Sequence, residues 1–254
     1  MLDREQLIML KERKEHVIGL QMRAIEEGKV SPERMKSLNN PLGKHLQDFW
    51  ISSYLLGEPF EKSLKGAKDC FSKYLAFSRE STPLTVRRYY LFHWVICDET
   101  RADNLDILAS PDFSELLASI YDLSNIEVIQ SFTLANYLLE RHDSIIENKQ
   151  SFMEVEEKWG GDSEMYSCWT KAIVSLLEKD EPGLSEALES ILTEHTWMRD
   201  QGSLQDFALG ELCLPALAFL KLARKAGMNI ELENPLVPRE LVELKLNQNA
   251  PDEK

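Results

Sequence analysis

The chain has 254 residues, 43% of them hydrophobic and 28% charged, with a formal net charge of -14 at pH 7. That is enough chain to bury a sizeable core, and too apolar a composition for wholesale disorder. The acid surplus repels phosphate backbones and anionic lipid and attracts a basic partner, which argues against direct binding to nucleic acid or to a membrane. It is also unevenly spread: residues 1–80 carry 14 basic and 12 acidic side chains, whereas 140–200 carry 6 and 15. Its plainest reading is solubility alone.

The N-terminal stretch MLDREQLIMLKERKEH has acids at Asp3 and Glu5 and no continuous apolar run, unlike a secretory signal. Its spacing predicts a long, highly charged helix over 3–27, stopped at Gly28. Ser31-Pro32-Glu33 reads as a compact helix start. Leu42, Leu46, Phe49, Trp50 and Ser53 then form one stripe, which Gly57 and Pro59 end. Phe60, Leu64, Ala67, Phe71, Tyr74 and Leu75 form the next, and Thr82-Pro83 opens a segment centred on YYLFHWVIC. That centre, Tyr89 to Cys97, is apolar enough for central core, and a strand competes with a helix there. Helices are expected at about 101–109, 112–122, 125–140 and 143–158.

The C-terminal third is the most regular. Met165, Cys168, Trp169, Ala172, Ile173 and Leu176 make one stripe, with Asp162 or Ser163 as its cap, and Leu184, Leu188, Ile191, Leu192 and His195 make another. Between them KDEPG is turn chemistry, so the two helices should pack as an antiparallel hairpin. Residues 204–226 are apolar nearly all round and read as a buried helix that Pro215 kinks or divides. The sum is an all-α chain, an array or bundle of about ten to twelve antiparallel helices with a short extended C-terminal segment. No fixed repeat is detectable. Gly160-Gly161 suggests a joint between an N-terminal helical part, 1–160, and a C-terminal part, 161–246, packed together as one domain, with 247–254 a frayed tail. Four cysteines, Cys70, Cys97, Cys168 and Cys213, show no paired spacing, which suits reduced thiols in the cytosol.

Phosphate-cradling glycine loops, nucleophile elbows and zinc-type cysteine pairs are absent from the sequence. Three constellations remain. His93 with the dipeptide His142-Asp143 matches the ligand types of helical metal-dependent phosphohydrolases, and Cys97 shares a helix face with His93. A histidine in an aromatic core stretch is more commonly a satisfied core residue, and two ligands do not make a site. Glu211, in LGELCLPALAFL, would have its pKa raised if buried alone; an exposed helix start, or pairing with Arg87, Arg88 or Arg224, is the favoured alternative. The third is the acidic run Glu147, Glu154, Glu156, Glu157, Asp162 and Glu164 around Trp159. It reads either as a solvated face or as a surface for a cationic protein, with Trp159 as a buried anchor in an acidic rim.

The segment CWTKAIVSLLEKDEPGLSEALESIL (Cys168 to Leu192), with LCLPALAFLKLARKAGMNIELENPLVPRELVE (Leu212 to Glu243), resembles family 49 of the bacterial immunity proteins. The similarity lies in a Trp-bearing helix, a turn after an acidic residue and a second helix. A long apolar helix with a basic, glycine-ended turn follows, then an extended acidic stretch and a Pro-x-x-Pro-x-x-Leu finish at Pro235, Pro238 and Leu241. It covers roughly 162–243, with a weaker likeness over 95–108. Immunity proteins of another helical family end similarly. The resemblance implies a cytoplasmic protein that binds and neutralises a cognate toxin of its own kin, such as a nuclease, without catalysis. It implies no cofactor, no metal and no catalytic residues, and it does not locate the toxin-binding surface. A metal-dependent phosphohydrolase using His93, His142 and Asp143, and a helical-repeat adaptor, are the alternatives.

Overall fold

A computed structural model describes residues 2–59, 95–96, 133–141, 143 and 164–243. Among the described residues the chain is helical and forms no strand. Helix α1 spans Arg4–Glu26 and α2 spans Pro32–Leu55; α3 spans Glu164–Glu178 and α4 Glu181–Gln201. After a 3-10 turn at Ala208–Glu211 come α5, Leu214–Lys225, and the short α6, Arg239–Glu243.

The first hairpin follows from its ends. Asp3 caps α1 by accepting the Gln6 N–H at 2.8 Å, while the Gln6 side chain accepts from Asp3 N–H, a reciprocal capping box. Past Glu26 the chain reverses through Gly28 at φ +65°, a left-handed conformation that glycine takes without strain. Ser31 then accepts the Arg34 N–H and Pro32 opens α2. The short link sends α2 back along α1, and Leu7, Ile18, Met22 and Ile25 face Leu42, Leu46, Trp50 and Ile51 in one core. α2 continues past Pro41, where an interior proline forfeits a helical donor.

The second hairpin, α3–α4, has a two-residue joint. Lys179 takes a left-handed φ of 55°, and Asp180 caps α4 through the Gly183 N–H at 3.1 Å. The two helices pack along each other, and Trp169, Ala172, Ile173 and Leu176 meet Leu184, Leu188 and Ile191 in the core.

The buried helix expected over 204–226, kinked or divided at Pro215, is divided, and its regular part begins only at Leu214. α4 ends at Gln201, residues 208–211 form the 3-10 turn, and Leu212 lies in extended backbone before α5. Pro215 stands in the first turn of α5, where its missing N–H costs nothing; farther along a continuous helix it would have removed a hydrogen bond. The break also frees Cys213 N–H to donate to Leu236 O at 2.9 Å. Leu214 to Ala223 are all buried.

The C-terminal coda closes on α5. Gly227, at φ +80°, ends that helix with Met228 N–H returning to Ala223 O and its own N–H to Arg224 O, a Schellman pattern. Met228 and Ile230 are buried and Leu232 packs against the core from a stretch without regular secondary structure. Asn234 turns that chain by accepting the Leu236 N–H on its side chain and the Val237 N–H on its carbonyl. Leu236 and Val237 are thereby inserted, and Pro238 leads into α6.

Candidate functional site

Most of the residues singled out from sequence fall outside the described ones. Glu147, Glu154, Glu156, Glu157, Trp159 and Asp162 lie there, as do His93, Cys97 and His142. Glu164 is the first residue of α3, and Asp143 is exposed. Among the described residues, no group of three or more His, Cys, Asp or Glu could hold a metal ion, and no helix is long and apolar enough to cross a membrane.

Glu211 is part-buried at the end of the 3-10 turn, and its Oε1 accepts the Leu2 N–H at 2.8 Å. The sequence favoured either an exposed helix start or a partner among Arg87, Arg88 and Arg224. Arg224 instead reaches Glu243 at 3.4 Å, and Arg87 and Arg88 lie outside the described residues. Glu211 is also near enough to His195 and Arg199 to act on both electrostatically. Its contact with Leu2 ties the start of α1 to the turn.

The strongest concentration of polar chemistry is an ionic joint that sequence periodicity did not flag. Lys14, on the buried face of α1, reaches Asp48 of α2 at 2.8 Å, and the Asp48 side chain is fully shielded from solvent. The other carboxylate oxygen of Asp48 accepts the buried Leu209 N–H at 3.0 Å. The Lys14 ammonium lies 4.8 Å from the centre of the Phe207 ring and 3.2 Å from His45 Nδ1. An ammonium can only donate, so Nδ1 is the unprotonated nitrogen of that ring. Burial first, then the charges of Lys14 and Arg13, hold the His45 pKa down at about 4. One carboxylate thus fastens the α1–α2 hairpin to the 3-10 turn. Enclosed as it is, the carboxylate cannot meet a substrate; its chemistry is structural.

His195, expected on the buried stripe of α4, is there: its Nε2 is 3.1 Å from Gly210 O. A carbonyl only accepts, so Nε2 carries the proton. Burial lowers its pKa, against the opposing pull of that hydrogen bond.

The outer surface of α4 is the described region where charge faces solvent around an aromatic ring. Glu186, Ser190, Thr193, Trp197 and Gln201 are exposed at steps of three and four along one side, with Glu189 and Asp200 beside them. Trp197 retains 54% of its exposure, the largest aromatic surface in contact with water among the described residues. Its ring edge lies close to Gly202, where an added Cβ would sit 3.3 Å from Cζ3 and 2.9 Å from Met198 Cα. Trp197 lies off the stripe of Leu184, Leu188, Ile191 and His195, the signal by which sequence could have marked it as solvent-facing.

Compared with models of known protein families, with curated proteins and with solved structures, the chain matches none.

Proposed function

We propose that this chain is an immunity protein, which binds a cognate bacterial toxin in the cytoplasm and neutralises it without catalysis. The single observation that carries the reading is how α4 divides its residues. In the segment that resembles the immunity family, the apolar side is spent on the core while Glu181, Glu186, Glu189 and Asp200 face outward. That arrangement suits a protein that presents charge to a basic partner, and complementary charge chiefly speeds encounter. A nuclease is the kind of toxin that fits, because an enzyme built to hold a phosphate backbone presents a basic surface. The acidic run Glu147, Glu154, Glu156, Glu157, Asp162 and Glu164 around Trp159 is proposed as a partner-binding segment from its sequence alone.

The proposed scaffold is an array or bundle of about ten to twelve helices, with 161–246 packed against 1–160. Contacts that join the two parts support it. Asp48 holds Leu209, Glu211 holds Leu2, and the Tyr54 hydroxyl donates to Glu240 at 2.5 Å.

The test is calorimetric titration of the full chain with the product of a neighbouring toxin gene at two salt concentrations, paired with rescue of growth on co-expression. Tight one-to-one binding, weakened by salt, with rescue is expected. Neutralisation without binding, or binding indifferent to salt, would count against an acidic-surface antagonist.

A further inference from the structure

We infer that the outer face of α4 centred on Trp197 is where the partner docks, with an arginine or lysine of a basic protein lying over the exposed indole; the partner's identity as a toxin rests on the reading above. The inference begins with cost. A large aromatic side chain left 54% exposed on a regular helix forgoes much of the burial that stabilises its neighbours. Trp197 is positioned all the same, its ring edge close to Gly202, where an added Cβ would stand 3.3 Å from Cζ3. The surrounding face is low: Ser190 and Thr193 turn their hydroxyls back to the carbonyls of Glu186 and Glu189. Among the described residues of that face, the indole is the one aromatic ring left exposed.

Charge selects the occupant. α4 carries five acidic residues, Glu181, Glu186, Glu189, Glu194 and Asp200, against one basic residue, Arg199, which is held by Asp200 at 2.7 Å. Lys171 of α3 pairs with Glu186 at 2.7 Å and Glu181 accepts the Asn229 N–H, so the helix keeps a net acid surplus carried by Glu189 and Glu194. A second copy of this chain would set acid against acid. An anionic bilayer would be repelled by the same field, although a tryptophan alone would suit its interface. A cationic side chain gains twice, from the negative face of the ring and from the flanking carboxylates. Tryptophan is also the residue type that most often concentrates interface energy, and acids around it accelerate encounter.

The experiment is hydroxyl-radical footprinting of the full chain, read residue by residue by mass spectrometry, with two probes. One is the product of the neighbouring toxin gene; the other is an arginine-rich peptide at low ionic strength. Trp197 should be oxidised readily in the free protein and protected in both complexes. Trp197→Ala should weaken toxin binding at least about 10-fold with unchanged circular dichroism, and Trp197→Phe should restore part of the loss. Trp197 equally oxidised in a formed complex, or Trp197→Ala binding as wild type, overturns the inference. If the toxin fails to bind, the immunity reading falls and the peptide alone decides: protection of Trp197 keeps the cationic docking face, and none removes it.

Discussion

Lys14 and Asp48 form a 2.8 Å ion pair whose carboxylate is wholly shielded from solvent, set within the largely apolar seam between α1 and α2. Removing one member leaves the other charge buried without compensation, which costs about 3–5 kcal/mol. Lys14→Met should lose that order of stability in urea denaturation. Lys14→Met combined with Asp48→Asn should recover part of it, because asparagine is neutral yet still accepts from Leu209 N–H. A double variant no more stable than Lys14→Met alone would show that the pair is not the source of the cost.

The histidine beside this pair makes stability depend on pH. His45 has its folded pKa lowered to about 4, and the unfolded value is about 6.5. Between those values the unfolded chain binds more protons, so stability rises with pH. The contribution is fully present above about pH 6.5 and is lost as pH falls toward 4. Buried His195, also lowered, acts in the same direction. Urea midpoints should therefore drop between pH 7 and pH 5, and His45→Gln should shrink the drop. An identical drop in the variant would exclude His45 as a contributor.

Two backbone positions invite stabilisation. Lys179 holds a left-handed φ of 55° at the α3–α4 joint, a conformation that costs a side-chain-bearing residue about 1–2 kcal/mol. Lys179→Gly relieves that strain at the expense of a more flexible unfolded chain, and a net gain of about 0.5–1 kcal/mol is expected. Gly19, inside α1, has open space where a Cβ would stand, so Gly19→Ala should add about 1 kcal/mol. Thermal melting of each variant reads the effect, and a lowered midpoint for Lys179→Gly would contradict the assignment of strain.

Cys213 is fully buried beside the break before α5, and burial pushes its thiol up to about 12, against a hydrogen bond from Ala216 N–H. Since the thiolate is the nucleophile, the native protein should leave Cys213 unmodified by iodoacetamide at pH 8, while the denatured protein reacts. Peptide mapping distinguishes it from Cys70, Cys97 and Cys168. Rapid labelling of Cys213 under native conditions would mean that the clasp with Leu236 opens readily.

Local chemistry made several elements legible. Gly28, Ser31-Pro32, Gly57, Lys179 to Gly183 and Gly227 each mark a helix end, because the few residues that stop or start a helix do so through their own backbones. The buried stripes of α3 and α4 were readable for a similar reason: helical period alone sets which residues share a side. Residues 204–226 were less so. Pro215 signalled an interruption, but a continuous apolar pattern has no preferred face from which to locate a break. The acidic surface proposed around Trp159 lies beyond the described residues, whereas Trp197, off the buried stripe, is exposed on α4.

The sequence by itself determined the helical class, the hairpin ends and the excess of acid toward the C-terminal side, since propensity, capping and charge are properties of short segments. Only the tertiary structure decided that Lys14 would find Asp48, that Glu211 would hold Leu2, and that Trp197 would stay in water. The first two of these join residues 34 and 209 positions apart, and the third is the absence of any covering element over Trp197 among the described residues. No local rule assigns a distant partner: which charge is buried, and which ring is left uncovered, depends on how whole helices pack against one another.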